Sequence, residues 1–377
     1  VSVTVCIGTA NTLSYPQGGH LWVFLNWALG FRAAGAARVL WLDVANRDDK
    51  PAGRRERIAL LRSRLAPYGL ADAVALVTPD GEALPDDDTG CVGPDEAAAA
   101  ELLFDLRYDL PGVLVRRFSR SALLDIDPGI LQNAIACGHM PLAPHDVYFT
   151  IGEGVSAPGW PYPTLGQNWI HIPPCVSTQH WPAQPPLANA AYTSVSHWET
   201  DEWMVEADGT WYKNNKQAAF REFLDLPRNV AAPLELAIHL AGDCAEQARV
   251  EAHGWRVSEA HAVAASPQDF QRYVQRSRGE FSCAKPAYVR MRTSWISDRT
   301  VCYLASGRPV VLQDTGPSRY LDGRDGVRRF RTLAEAITCV RDVEAAYDAH
   351  ASGARALAES HFDARAVASR VLDYALG

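Results

Sequence analysis

The chain has no C-x-x-C pair; its eight cysteines stand singly at 6, 91, 137, 175, 244, 283, 302 and 339. Paired-thiol motifs are therefore excluded. Several of these cysteines sit in apolar contexts, so they read as reduced, mostly buried thiols of a cytoplasmic protein. No apolar run is long enough to span a bilayer. A basic excess is also missing: 36 Lys and Arg against 44 Asp and Glu give a formal net charge of -8. That balance argues against a non-specific nucleic-acid binder. The first seven residues, VSVTVCI, already read as a strand, so no signal peptide is expected. His139, His145, His171, His180 and His197 lack metal-ligand spacing and are assigned no ligand role. What the chain does have is apolar side chain, 47% of 377 residues, enough to fill two cores.

The first half alternates strand and helix. Residues 1–7, 38–43, 73–77, 122–126, 147–151 and 169–172 read as strands. Gly18 and Gly19 read as a loop before an apolar helix over 20–34, and an amphipathic helix over 54–68 carries Ile58, Leu61 and Leu65 on one face. An acidic, Gly/Pro-rich surface loop is expected over 79–94 and a helix over 95–106. Pro173, Pro174, Pro182, Pro185 and Pro186 forbid helix or central strand, so the best boundary lies there. A second rhythm follows, with strands over 191–196, 234–240 and 255–264 and helices over 216–224, 244–253 and 267–276. From 333 onward the chain reads as nearly all helix. Trp160, Trp169, Trp181, Trp198, Trp203 and Trp211 crowd the linker region. Most are expected in a core or between domains, and one or two on a sugar or aglycone.

Residues 279–316, GEFSCAKPAYVRMRTSWISDRTVCYLASGRPVVLQDTG, carry the most information. They read as strand, polar loop, helix, tight turn, buried strand and polar loop. Ser297 and Asp298 cap a helix whose apolar face is Val301, Leu304 and Ala305, and Gly307 stops it. The next strand ends in Gln313, Asp314, Thr315 and Gly316. In open α/β sheets, ligands sit at the carboxyl ends of strands and the amino ends of helices. An anion there meets unpaired backbone N–H groups and the helix dipole, with Lys285, Arg290, Arg292 and Arg299 nearby. Bland readings stay open beside these. Asp298 and Arg299 also fit a plain helix start with an exposed arginine, Asp314 to Gly316 an ordinary turn, and Lys285 a solvated charge.

A helix, then A-x-G-x-P-V-V, then a polar Asp-Thr-Gly turn resembles the donor-binding half of GT-B glycosyltransferases. A bacterial group among them carries G-E-F-S-x-A-K, W-x-S-D-R and G-R-P-V-V-x-Q-D-T-G, which stand here at 279–285, 295–299 and 307–316. Residues 18–22, 25–30, 125–129 and 223–227 resemble the same group. The resemblance implies an α/β GT-B fold of two Rossmann-like, doubly wound domains facing a cleft, with a C-terminal helical tail. It divides the chain into an acceptor domain (1–175), a Pro-rich linker (176–190), a nucleotide-sugar domain (191–360) and a final helix (361–377) crossing back to the first domain.

It implies a metal-independent hexosyltransferase that uses a nucleoside diphosphate sugar and no cofactor. The acceptor is a natural product, glycan or lipid bearing a hydroxyl or amine. Glu280, Ser282, Lys285, Ser294, Asp298, Arg299, Asp314, Thr315 and Gly316 are then donor-binding residues, with Gly18 and Gly19 near the donor phosphate. His20 and Asp127 are the candidate bases; His20 also suits helix capping or packing, and Asp127 also suits acceptor contact. The Asp125-Ile126-Asp127 triplet invites a metal, but the Pro-Gly turn after it and the GT-B markers favour a strand end. Glu153 reads as a surface-turn or cleft residue. An Ala/Arg-rich composition suggests a GC-rich bacterial source. A nucleotide-sugar epimerase of the same fold and a non-catalytic sugar-nucleotide-binding subunit remain the alternatives.

Overall fold

A computed structural model describes residues 3–45, 50–84, 90–155, 157–160, 162–187, 189–206 and 208–377. Its first seven strands are short and apolar on both faces, as strands sandwiched between helices must be. In β1 (Thr4–Gly8), Val5 and Ile7 face one core and Cys6 the other. The others are β2 (Arg38–Val44), β3 (Val74–Val77), β4 (Leu102–Asp105), β5 (Ser121–Asp125), β6 (Val147–Thr150) and β7 (Trp169–His171). They form one sheet in the order β3-β2-β1-β4-β5-β6-β7, with every pairing parallel.

The second half repeats the plan with β8 (Tyr192–His197), then β11 (Leu234–His239), β12 (Arg256–Glu259), β13 (Gly279–Ser282), β14 (Val310–Gln313) and β15 (Val327–Phe330). Their order is β12-β11-β8-β13-β14-β15, again parallel throughout. Between β8 and β11 a small antiparallel hairpin, β9 (Trp203–Val205) with β10 (Trp211–Lys213), stands apart from both sheets. The chain ends in helices Leu333–Ala345, Tyr347–Leu357 and Ala364–Leu376. The last packs along helix Gly18–Ala33, and its Ala375 carbonyl accepts from Arg120 Nε at 2.9 Å. The two stretches that cross between the halves lie side by side. Val176 N–H donates to Phe362 O at 2.8 Å, Ala364 N–H donates to Val176 O at 2.9 Å, and Thr178 Oγ1 donates to Asp363 Oδ2 at 2.6 Å. No helix among the described residues is long and apolar enough to cross a membrane.

Several elements differ from expectation. The helix expected over 95–106 is only Pro94–Ala98; Leu102, Leu103 and Phe104 then run as β4, fully buried. An alanine-rich run before them mimics helix, but the sheet takes the bulky residues. The strand expected over 255–264 stops at Glu259, whose carboxylate accepts from His261 N–H and starts helix Ala260–Val263. Gly18 and Gly19 are not a loop but the first turn of helix Gly18–Ala33. The polar loop after Lys285 contains helix Pro286–Met291. The expected loop over 79–94 includes 85–89, outside the described residues. Cys6, Cys175, Cys283, Cys302 and Cys339 are buried and Cys137 and Cys244 exposed, none of these seven in a disulfide. Trp169, Trp181 and Trp198 are core residues, whereas Trp203 and Trp211 stay exposed on the hairpin.

Candidate active site

In each sheet the strand order reverses beside its first strand, between β1 and β4 and between β8 and β13. Helices flanking such a point leave a crevice at the carboxyl ends of the strands. Here a cavity of about 450 Å³ opens between the halves. Asn11, Tyr15, Gln17, Gly19, His20 and Val23 line it from the first half, and the end of β8 with Ala260, His261, Phe270 and Ser297 to Arg299 from the second.

The second-half wall is built round Arg299. Its Nε donates to Glu280 Oε1 at 2.7 Å, Nη1 to Val195 O at 2.8 Å and Nη2 to Ser282 Oγ at 2.8 Å. Three acceptors fix the guanidinium, and the fully buried Glu280 keeps its second carboxylate oxygen without a partner among the described residues. Ser297, not Asp298, caps helix Asp298–Ala305, its hydroxyl accepting from Arg299 N–H at 3.2 Å. Asp298 is the first helical residue and lines the cavity. Burial pushes its carboxyl up to about 7, with the negative charge of Asp127 adding to the shift. Lys285 pairs with Glu202 at 2.6 Å and does not line the cavity. Sequence reading missed Lys216, which starts helix Lys216–Phe220, is buried and donates to Cys283 O beside β13. Burial, then the neighbouring Arg299 charge, pull its ammonium down to about 7. No local pattern announced it, because a lysine at a helix start normally points to water.

On the first-half wall, His20 Nε2 meets the Ala10 carbonyl at 2.7 Å. A carbonyl only accepts, so Nε2 carries the hydrogen. Burial lowers the imidazole pKa against the raising effects of that bond and of Asp43. The neutral ring then keeps an Nδ1 lone pair with no partner among the described residues, the state a general base needs. Gly18 and Gly19 do not frame an open phosphate loop. Gly18 N–H donates to Ala264 O at 2.8 Å, and a Cβ at Gly18 would overlap the Ser266 carbonyl oxygen. The glycines let the helix start dock on the second half.

Other expected donor residues interlock behind this wall. Gly316 has φ of 126°, and a Cβ there would meet Arg292 O at 2.6 Å. Ser294, itself at φ 61°, donates its backbone N–H to Thr315 O at 2.8 Å, while Thr315 Oγ1 donates to Trp295 O at 2.7 Å. Asp314 accepts from Arg329 and Arg331. Burial works to raise its carboxyl, but Gly316 N–H and the two arginines outweigh it and hold the group below its ordinary value. Asp127 bridges the halves: Tyr288 Oη donates to it at 2.6 Å, and Tyr288 stacks on Trp295 with ring centroids 4.1 Å apart. Asp127 does not line the cavity. Asp125 is fully buried and turned to Gln132 and Thr150 at 2.8 and 2.9 Å. Glu153 also spans the halves, accepting from Arg319 N–H at 3.0 Å.

No protein-family model matches the sequence, and no curated protein matches it. Solved structures do match. Sucrose-phosphate synthase from Thermosynechococcus elongatus superimposes with a TM-score of 0.56 at 10% identity, over 99% of this chain and 98% of that one. HepE of Anabaena, in complex with UDP and glucose, gives 0.55 at 12% identity over 99% of both chains. An α-glucosyltransferase in complex with UDP and a 13-mer DNA gives 0.54 at 10% identity over 99% of both. This chain has the GT-B fold. At such low identity the likeness covers architecture: two facing parallel-sheet units and a final helix. In a GT-B frame the cavity at Asp298 and Arg299 lies in the cleft between those units.

Proposed function

We propose that the protein is a glycosyltransferase that moves a sugar, of hexose type, from a nucleoside diphosphate sugar to an acceptor hydroxyl or amine on a natural product, glycan or lipid. One observation carries the reading. The GT-B cleft holds a cavity where the start of helix Asp298–Ala305 and a fixed guanidinium, Arg299, stand across from a neutral imidazole, His20. The helix start and the cations behind it suit the negative charge that develops on a departing diphosphate. His20 Nδ1 suits the proton of an acceptor. Ser294, Asp314, Thr315 and Gly316 act by holding the loops that shape the second-half wall, with Glu280 and Ser282 fixing Arg299. Lys285 adds positive charge near β13, and Lys216 does so below about pH 7. Asp127 is the second candidate base. The transfer step needs no metal in this reading, and the enzyme works in the cytoplasm.

The test is thermal. UDP, GDP or TDP at millimolar concentration, in EDTA-treated protein, raises the melting temperature, because a ligand of the native state stabilises it. Absence of a shift with all three would remove the donor site and the function with it.

A further inference from the structure

The geometry points to a transition-metal site at the rim of the cleft, made by His239, Glu259 and His261. One ligand atom from each of these residues lies within 4.8 Å of the others. The site follows from the sheet. β11 and β12 are parallel neighbours in the register Ile238↔Glu259, so His239, just past that pair, comes beside Glu259 at the same sheet edge. His261 follows two residues later, in the turn of helix that Glu259 starts.

The donors are arranged as a cation requires. Glu259 Oε1 accepts from His239 Nδ1 at 3.0 Å and from His261 N–H at 3.2 Å. The His239 and His261 rings stack with centroids 4.0 Å apart. Tyr15 Oη meets His261 Nε2 at 3.2 Å, the kind of outer contact that orients a ligating imidazole. Each ring keeps one nitrogen without a hydrogen-bond partner among the described residues. In a tetrahedral site with ligand bonds of about 2.0–2.1 Å, donor atoms lie roughly 3.3–3.4 Å apart. Small rotations close that gap, since the His239 and Glu259 side chains are 33% and 48% exposed.

Two nitrogens and one oxygen select Zn²⁺, or Co²⁺ and Ni²⁺ as probes, over Mg²⁺ or Ca²⁺, which take oxygen sets. Three protein ligands leave a fourth position open. His261 also lines the 450 Å³ cavity, and His197, another lining residue, has its ring 5.9 Å from that of His261. The cation thus stands beside the cleft, apart from the transfer chemistry proposed above.

Calorimetric titration of chelator-stripped protein with ZnCl₂ tests this. One equivalent binds, and Co²⁺ in its place gives visible absorption characteristic of low coordination number. His239→Ala and Glu259→Gln, neither a lining residue of the cavity, each weaken Zn²⁺ binding by more than about tenfold. His139→Ala, an exposed histidine elsewhere, leaves it unchanged. Circular dichroism checks folding of every variant, and Glu259→Gln retains an acceptor for the helix start. No stoichiometric binding in the wild type, or full binding in the His239→Ala/Glu259→Gln double variant, overturns the site. Neither measurement depends on a nucleotide, so its failure is distinct from failure of the proposed function.

Discussion

His20 and Asp298 line one cavity and are shifted in opposite directions, the imidazole down and the carboxyl up to about 7, both chiefly by burial. Burial thus favours the neutral imidazole of His20 and makes Asp298 change its charge near pH 7. If His20 takes the acceptor's proton, His20→Ala lowers kcat by ~10²-fold or more and leaves donor affinity nearly unchanged. Steady-state kinetics with a circular-dichroism check on folding measures it, and Asp127→Asn is the companion variant. Near-wild-type kcat in both would exonerate both residues. Asp298 makes a separate prediction. Its folded pKa of about 7 lies above the ordinary 3.8, so the native state holds a proton that the unfolded chain releases between those values. Its stability contribution is full below about 3.8 and is lost as pH rises through about 7. Asp298→Asn should flatten the melting temperature across that window, and should also weaken the fall in nucleoside diphosphate affinity above pH 7, where an ionised Asp298 repels the ligand. Parallel wild-type and variant profiles would show that Asp298 does not titrate there. Of these residues, the 279–316 motifs drew attention to Asp298 and Arg299. Lys216 and the His239, Glu259 and His261 group had no local signal, because only pairing between distant strands brings their neighbours together.

Among elements, the strongly periodic and proline-bounded ones were legible: β1, β2, β8, β11, β14, helix Pro267–Arg276 and the helical end. β4 was hidden because Ala97 to Ala100 favours helix locally while Leu102 to Phe104 is claimed by the sheet. The β9/β10 hairpin has three-residue strands, too short for alternation to show. The start of helix Gly18–Ala33 was misread because two glycines usually mean a loop. Their purpose is close approach to Ser266 and Phe270. Gly18→Ala should therefore pry that contact open and destabilise the protein by about 1–3 kcal/mol. A denaturation midpoint unchanged from wild type would mean that the neighbouring loop yields freely. Ser294 and Gly316 show the same lesson from the other side. The turn at Gly316 and the polar loop at Ser294 were readable, but their use, locking one loop on another, depends on tertiary contact.

At the scale of the whole molecule, Tyr288 and Trp295 of the second half clasp the Asp127 loop of the first, through the Tyr288–Asp127 bond and a Trp295 Nε1 bond to Ile126 O at 3.2 Å. Tyr288→Phe removes the hydroxyl and leaves the ring stack. It should lower the melting temperature and raise protease sensitivity between the halves, without altering far-ultraviolet circular dichroism. Unchanged proteolysis would show that the clasp does not hold the halves together. The two crossings carry a further consequence. Because the segment at Val176 and the segment at Asp363 are bonded edge to edge, they form a leaf with one bending axis instead of two independent cords. Twisting one half against the other would shear those bonds, whereas bending about the leaf leaves them intact. One distance between the halves, read by a pair of probes, should therefore track any bending about the leaf, and a second pair moving independently of the first would show that those bonds yield.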